Sequence, residues 1–198
     1  SMRLLKTADI IAALSIDALS GTAAAFDKHI QDIRPHKGQA DSAYNLRTLM
    51  KNSIIWKNHK HCRKVQDAYS LRCIPQVHGA SREAFAYALR AIEIEMNSST
   101  DNPLVFIDKG SVVSGGNFHG QMIAIPMDTM GIAMSELGNL SDRRIYRLID
   151  PDETGLHPFL VRNAGINSGF MMLQVTSASL VSENKVLASP ASIDSIPT

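Results

Sequence analysis

The sequence predicts an all-α fold, a long antiparallel helix bundle with one small β-hairpin, and three observations carry that expectation. Apolar residues recur at helical spacing through several long stretches, the pattern of helices with one buried face. That period gives way to a strand-like one only between Leu104 and Val113. The segment 169–181 has no charged residue, as expected of a helix apolar on every side and therefore buried, either within its own domain or between subunits. At 198 residues the chain has the length of one domain, assigned to residues 1–198, and can bury a sizeable core.

Thr7 is placed to cap a first helix, whose Ile10, Ile11, Leu14 and Ala18 form one apolar face and which ends near Ser20-Gly21. A short helix is expected around Asp27 to Ile33. Pro35 to Gln39 reads as a loop, since proline and glycine interrupt regular structure. The next helix puts Ala43, Leu46, Met50 and Ile54 on its core side. Pro75 suits the first turn of a helix reaching about Met96, with Phe85, Ala88, Leu89, Ile92 and Met96 as its buried stripe. The polar run Asn97 to Asn102 before Pro103 ends it. Leu104 to Ile107 and Ser111 to Val113, joined by Asp108-Lys109-Gly110, form the hairpin, too small to stand alone and so expected to pack on helices. Pro126 fits the first turn of another helix, where Met127, Met130, Met134 and Leu137 make one stripe, extended by Leu140, Ile145 and Leu148. Arg143, Arg144 and Arg147 lie near its C-terminal end, where the helix dipole favours cations. Asp150-Pro151 stops it, and a loop is expected to about Asn167. There is no internal repeat or low-complexity segment.

Composition narrows the function classes. Charged residues at 20 % and hydrophobic ones at 44 % describe an ordinary globular chain, and a net charge of +1 argues against nucleic acid or an anionic membrane surface as partner. No apolar run reaches the roughly 18 residues of a membrane span. Cys62 and Cys73 read as reduced thiols of a cytoplasmic protein. His59-Lys60-His61-Cys62 invites a zinc reading, but a site needs three or four ligands and no second cluster recurs at matching spacing, so we expect a polar loop and no metal. Ser1-Met2 reads as a cleavage scar ahead of a start methionine.

The chemistry-bearing stretch is Val65 to Cys73, which sets Gln66, Tyr69 and Arg72 at steps of three. On a helix these fall on one face and offer an orienting amide, a proton-handling phenol and a guanidinium fork for a carboxylate. Spacing alone also describes a solvated helix face, because helix surfaces are normally polar. Gly115-Gly116-Asn117-Phe118 reads either as a simple turn or as backbone freedom that brings Phe118 into a site.

Gln66-Asp67-Ala68-Tyr69-Ser70-Leu71-Arg72-Cys73 followed by Pro75-Gln76-Val77 resembles the histidine and aromatic amino-acid ammonia-lyase family. So do Arg34-Pro35-His36-Lys37-Gly38-Gln39, Asp101-Asn102-Pro103-Leu104-Val105, Ser114-Gly115-Gly116-Asn117-Phe118-His119, and Ser182-Glu183-Asn184-Lys185 leading to Ser192-Ile193-Asp194-Ser195-Ile196-Pro197-Thr198, in the family's order. His119 and the ending Pro190 to Ser195 resemble the histidine branch more than the phenylalanine one. The resemblance covers nearly the whole chain. It implies non-oxidative loss of ammonia from L-histidine to give urocanate, in a cytoplasmic homotetramer whose active sites draw residues from several chains. By match, Arg72 binds the substrate carboxylate, Tyr69 takes part in proton transfer, Gln66 orients, and Phe118 shapes the pocket.

The family's electrophile, a methylidene-imidazolone, is made from an internal Ala-Ser-Gly, and that tripeptide occurs nowhere here; Leu19-Ser20-Gly21 and Asn167-Ser168-Gly169 come nearest. The chain therefore resembles the middle of a longer enzyme, from after the prosthetic-group loop to just short of an active-site glutamate, and by itself is expected to be inactive. The rival expectations are a phenylalanine or tyrosine lyase or aminomutase segment, and a non-catalytic helical assembly module.

Overall fold

The computed structural model describes residues 2–58 and 65–194, an all-α bundle with one two-stranded hairpin. The long helices are α1 (Met2–Ala18), α3 (Lys37–Met50), α6 (Ile74–Glu95), α7 (Gln121–Leu148) and α9 (Met171–Leu187). Short helices α2 (Lys28–Asp32), α4 (Ile54–Asn58), α5 (Tyr69–Arg72) and α8 (Pro151–Thr154) fill the connections. Helix α6 is the centre of the packing, lying against α3, α7 and α1, while α9 packs on α7. Ile16, Phe26, Ala43, Leu46, Met50, Leu71 and Ile74 form one buried cluster, and Leu5, Phe85, Ala133 and Leu137 a second.

Polar residues decide which face of α1 points inward. Asp9 is buried and accepts hydrogen bonds from Ser42 Oγ (2.9 Å) and Asn45 Nδ2 (2.7 Å) on α3, while its Oδ1 lies 2.8 Å from His78 Nδ1 on α6. Arg82 adds an ion pair to the same carboxylate. Burial, the largest influence on Asp9, pushes its pKa up, but the hydrogen bonds from His78 and Asn45 and the Arg82 charge outweigh it, and the net value lies below the ordinary one. Burial pulls His78 down, and Asp9 offsets only part of this. Arg144, almost wholly buried on α7 nearby, is lowered by burial to about 10.

With this node inward, the expected apolar face of α1 is on the outside: Ile10, Ile11 and Leu14 are all exposed. Thr7 is no cap; the helix begins at Met2, and the Thr7 hydroxyl donates to Arg3 O within it. The α3 helix starts at Lys37, inside the expected loop, because Gly38 and Gly79 let α3 and α6 touch backbone to backbone. Ile54, expected on α3, begins α4 and is exposed. On α6, Phe85 and Ala88 are buried as expected, whereas Leu89 and Met96 are exposed.

Strands β1 (Leu104–Phe106) and β2 (Ser111–Val113) pair antiparallel, with Gly110 in the left-handed region at φ 58°. The hairpin does not bury its apolar side chains on the helices: Val105, Ile107, Val112 and Val113 are exposed. Its base is held instead by Asn102 Oδ1, which accepts from Ser114 Oγ (2.9 Å) and Gly115 N (2.8 Å). Pro126 lies inside α7, five residues past Gln121, and not in its first turn. The connection after Asp150 is ordered by α8, whose first amides are capped by Asp150 Oδ1 (2.9 Å to Asp152 N). Of the uncharged segment on α9 only Val181 is buried, and Met172, Leu173, Val175 and Leu180 are exposed, so the described protomer covers the segment on its α7 side alone.

Candidate active-site cleft

The Gln66-Tyr69-Arg72 stretch does not form one helical face. Asp67 Oδ2 accepts a hydrogen bond from Thr22 N (2.7 Å), which fastens this segment to the turn after α1 and keeps it out of helical geometry. Ala68 is extended (φ −61°, ψ 155°), so helix begins only at Tyr69, and Cys73 breaks it again before α6. Gln66 therefore precedes the helix. In the single turn of α5, Ser70 and Leu71 are buried, and Tyr69 and Arg72 share the outer side.

That side is pre-arranged. The guanidinium carbon of Arg72 lies 4.6 Å from the centroid of the Tyr69 ring, a cation–π contact that orients the fork. Tyr69 is 71 % exposed, and Arg72 Nε is buried with no hydrogen-bond partner among the described residues, as are Ser70 Oγ and Gln76 Oε1 close by in the chain. A buried guanidinium N–H without an acceptor is costly, so an anion at this position would be stabilised.

Tyr69, Ser70 and Arg72 line an open cleft of about 590 Å³ together with Gln66, Asp67, Arg143, Arg147 and Glu153. The far wall comes from α7 and α8. Arg147 pairs with Glu153, which the capped turn of α8 folds back toward α7. Arg143 Nη2 bonds Asp142 Oδ2 at 2.7 Å. Arg143 and Arg147 were legible in the sequence only as cations at a helix C-terminus; that they face Tyr69 and Arg72 depends on how α5 docks on α7. Phe118, expected to shape the pocket, is not among the cleft residues and is 61 % exposed. Thus the structure brings together Gln66, Tyr69 and Arg72 and leaves Phe118 elsewhere on the protomer.

The expected polar loop His59 to Cys62 lies outside the described residues, and among those described no group of His, Cys, Asp and Glu is arranged to hold a metal. Cys73 is a free thiol. No described helix is long and apolar enough to cross a membrane.

A model of the aromatic amino acid lyase family matches residues 1–198. The chain is 61 % identical over 198 residues to histidine ammonia-lyase 2 of Fusobacterium nucleatum, covering 99 % of this chain and 39 % of that protein. Among solved structures it is similar to histidine ammonia-lyase from Trypanosoma cruzi, at 47 % identity and a TM-score of 0.87 over 98 % of this chain and 36 % of that one. It is also similar to a tyrosine aminomutase from Streptomyces globisporus, at 38 % identity and a TM-score of 0.88 over 98 % of this chain and 40 % of that one. The chain thus spans about two fifths of the length of the relatives it matches.

Proposed function

This chain belongs to the aromatic amino acid lyase family, and we propose that it is the segment of a histidine ammonia-lyase that binds the substrate carboxylate and handles its proton. The observation that carries this reading is the stacked Tyr69–Arg72 pair in an open cleft, with Arg72 Nε lacking a partner among the described residues. The 61 % identity to a histidine ammonia-lyase supports histidine as substrate.

In this reading the overall reaction takes L-histidine to urocanate and ammonia. A β-proton is removed, the electron pair of the broken Cβ–H bond forms the Cα–Cβ double bond, and the Cα–N bond breaks with its pair leaving on ammonia. Arg72 forks the carboxylate and so fixes Cα. Tyr69, held beside it, moves the β-proton. Gln66, at the edge of the same cleft, orients the substrate by its amide. The family's methylidene-imidazolone supplies electrophilic activation of the substrate. No residue of this chain can form it, since Ala-Ser-Gly is absent from the sequence, and the cationic donors of the cleft suit an anion and not that group. The chain's own contribution is therefore carboxylate binding and proton movement.

The reading extends to a cytoplasmic homotetramer, with Phe118 of one chain completing the site of another; its exposure away from the cleft supports this. Residues 1–198 act as one domain in this assembly. A tyrosine or phenylalanine lyase or aminomutase is the second reading, supported by the similarity to a tyrosine aminomutase. Product absorbance decides between them in a full-length enzyme carrying this segment. Urocanate should form from L-histidine, with little turnover of phenylalanine or tyrosine; the reverse preference overturns the histidine assignment. The 198-residue polypeptide alone should yield no urocanate, and activity from it, free of full-length enzyme, would contradict the assigned division of labour.

A further inference from the structure

The cleft holds two guanidiniums that the reading above does not use, those of Arg143 and Arg147. Of its three arginines, Arg72 stacks on Tyr69 and Arg147 pairs with Glu153, which also lines the cleft. Arg143 differs. It lines the cleft, but its counter-ion Asp142 does not: Asp142 is fully buried behind it, and the Nη2–Oδ2 bond of 2.7 Å grips the guanidinium from the protein side. The Arg143 side chain itself remains 57 % exposed. A cation anchored from behind, with its charge presented to a cleft, is fixed in place before any ligand arrives and needs little reordering to act on one.

The remaining acids of the cleft are held by other partners. Asp67 is engaged by Thr22 N on the opposite side of the cleft, and Glu153 by Arg147. Two positive groups, Arg72 on α5 and Arg143 on α7, thus face one space from two walls. A carboxylate placed between them is attracted by both.

We propose that Arg143 is a second carboxylate-binding residue, acting through its charge across the cleft from the fork of Arg72, and that it sets a preference for substrates with a free α-carboxylate. This rests on the assignment of the cleft to the substrate carboxylate. Its role differs from that of Arg72 in kind: a point charge suffices at Arg143, whereas Arg72 needs its planar fork.

The test uses a full-length enzyme carrying this segment, with Arg143→Gln and Arg143→Lys. Arg143→Gln should raise KM for L-histidine about 5- to 10-fold with kcat within about twofold, since the carboxylate is equally charged in substrate and transition state. Arg143→Lys should restore KM to within about twofold of the parent. The dependence of KM on salt, from about 20 to 300 mM, should be shallower in Arg143→Gln, a readout that a merely structural ion pair with Asp142 would not move. Inhibition by an imidazole carboxylate lacking the amine should weaken in Arg143→Gln, while inhibition by its neutral amide should not. That ratio reads the proposal even if turnover falls for structural reasons. An unchanged carboxylate-to-amide ratio, or a lysine variant as impaired as the glutamine one, overturns the role of Arg143. If Arg72→Lys leaves the ratio unchanged as well, the assignment of the cleft itself fails; if only Arg143→Gln leaves it unchanged, that assignment stands and this proposal does not.

Discussion

Gly38 and Gly79 sit in direct backbone contact where α3 crosses α6. A Cβ built on Gly79 would stand 2.5 Å from Gln39 N, and one on Gly38 would overlap Gly79 O. Gly38 N also donates to Glu83 Oε1 on α6 (2.6 Å), while Gln39 Nε2 ties α3 to α2 through Gln31 Oε1 (2.8 Å). Gly38 and Gln39 of the Arg34 to Gln39 motif are therefore structural here. They bring two helices to a distance that only glycines permit, and α6 carries the α5 turn at its head.

Gly79→Ala should destabilise the fold by about 1–3 kcal/mol, because the obstructing atoms are backbone and cannot swing aside. Denaturant midpoints of parent and variant check this. Equal midpoints would mean that α3 and α6 can separate without loss.

The Asp9–His78 pair predicts acid sensitivity. The folded pKa of His78 is below the ordinary 6.5, so its contribution to stability is complete above that value and is lost as pH falls through the lower folded value. The pKa of Asp9 is also depressed, below 3.8, and its contribution is lost only at still lower pH. Both act in the same direction. Urea midpoints should fall between about pH 7.5 and 5, and His78→Gln should flatten that part of the curve. Asp9→Ala, which leaves Arg82 without its buried partner, should cost about 3–5 kcal/mol. A profile that is flat in the parent down to pH 5 would count against the His78 assignment.

Arg72 and Tyr69 should separate kinetically in a full-length enzyme carrying this segment. Arg72→Lys keeps the charge but loses the fork, for a loss of roughly 10- to 150-fold that falls at least partly on KM. Tyr69→Phe should leave binding nearly unchanged and lower kcat by about 10²-fold or more. If kcat in the folded enzyme stayed within about twofold of the parent, Tyr69 would be only the support on which Arg72 stacks.

Association is the fourth expectation. Ile10, Ile11 and Leu14 on α1, Met122, Ile125 and Met134 on α7, and Met172, Leu173, Val175 and Leu180 on α9 are exposed together on one small protomer. Apolar surface on this scale is rare on monomers, and we expect a dimer or larger assembly. Light scattering at about tens of micromolar should give a multiple of 21.6 kDa. A monomeric mass would require these faces to be covered in another way.

The amino-acid pattern by itself marked most of the long helices, the hairpin and the residues that carry the proposed chemistry. Period, proline and glycine are local signals, and they marked α6 at Pro75, the hairpin turn at Gly110, and Tyr69 and Arg72 as a pair three residues apart. Three outcomes were settled only by tertiary structure, because each depends on groups distant in sequence. The inward face of α1 was set by Asp9, whose partners lie 33 to 73 residues away and whose burial turned Ile10, Ile11 and Leu14 outward. Gln66 was removed from the helix by the bond between Asp67 and Thr22, 45 residues earlier. Arg143 and Arg147 joined Tyr69 and Arg72 because α5 docks on the end of α7, which no spacing within either helix encodes. Helical periodicity shows that a face will be buried; which face, when a charged residue finds partners inside, is decided by the hydrogen bonds and ion pairs that offset its burial.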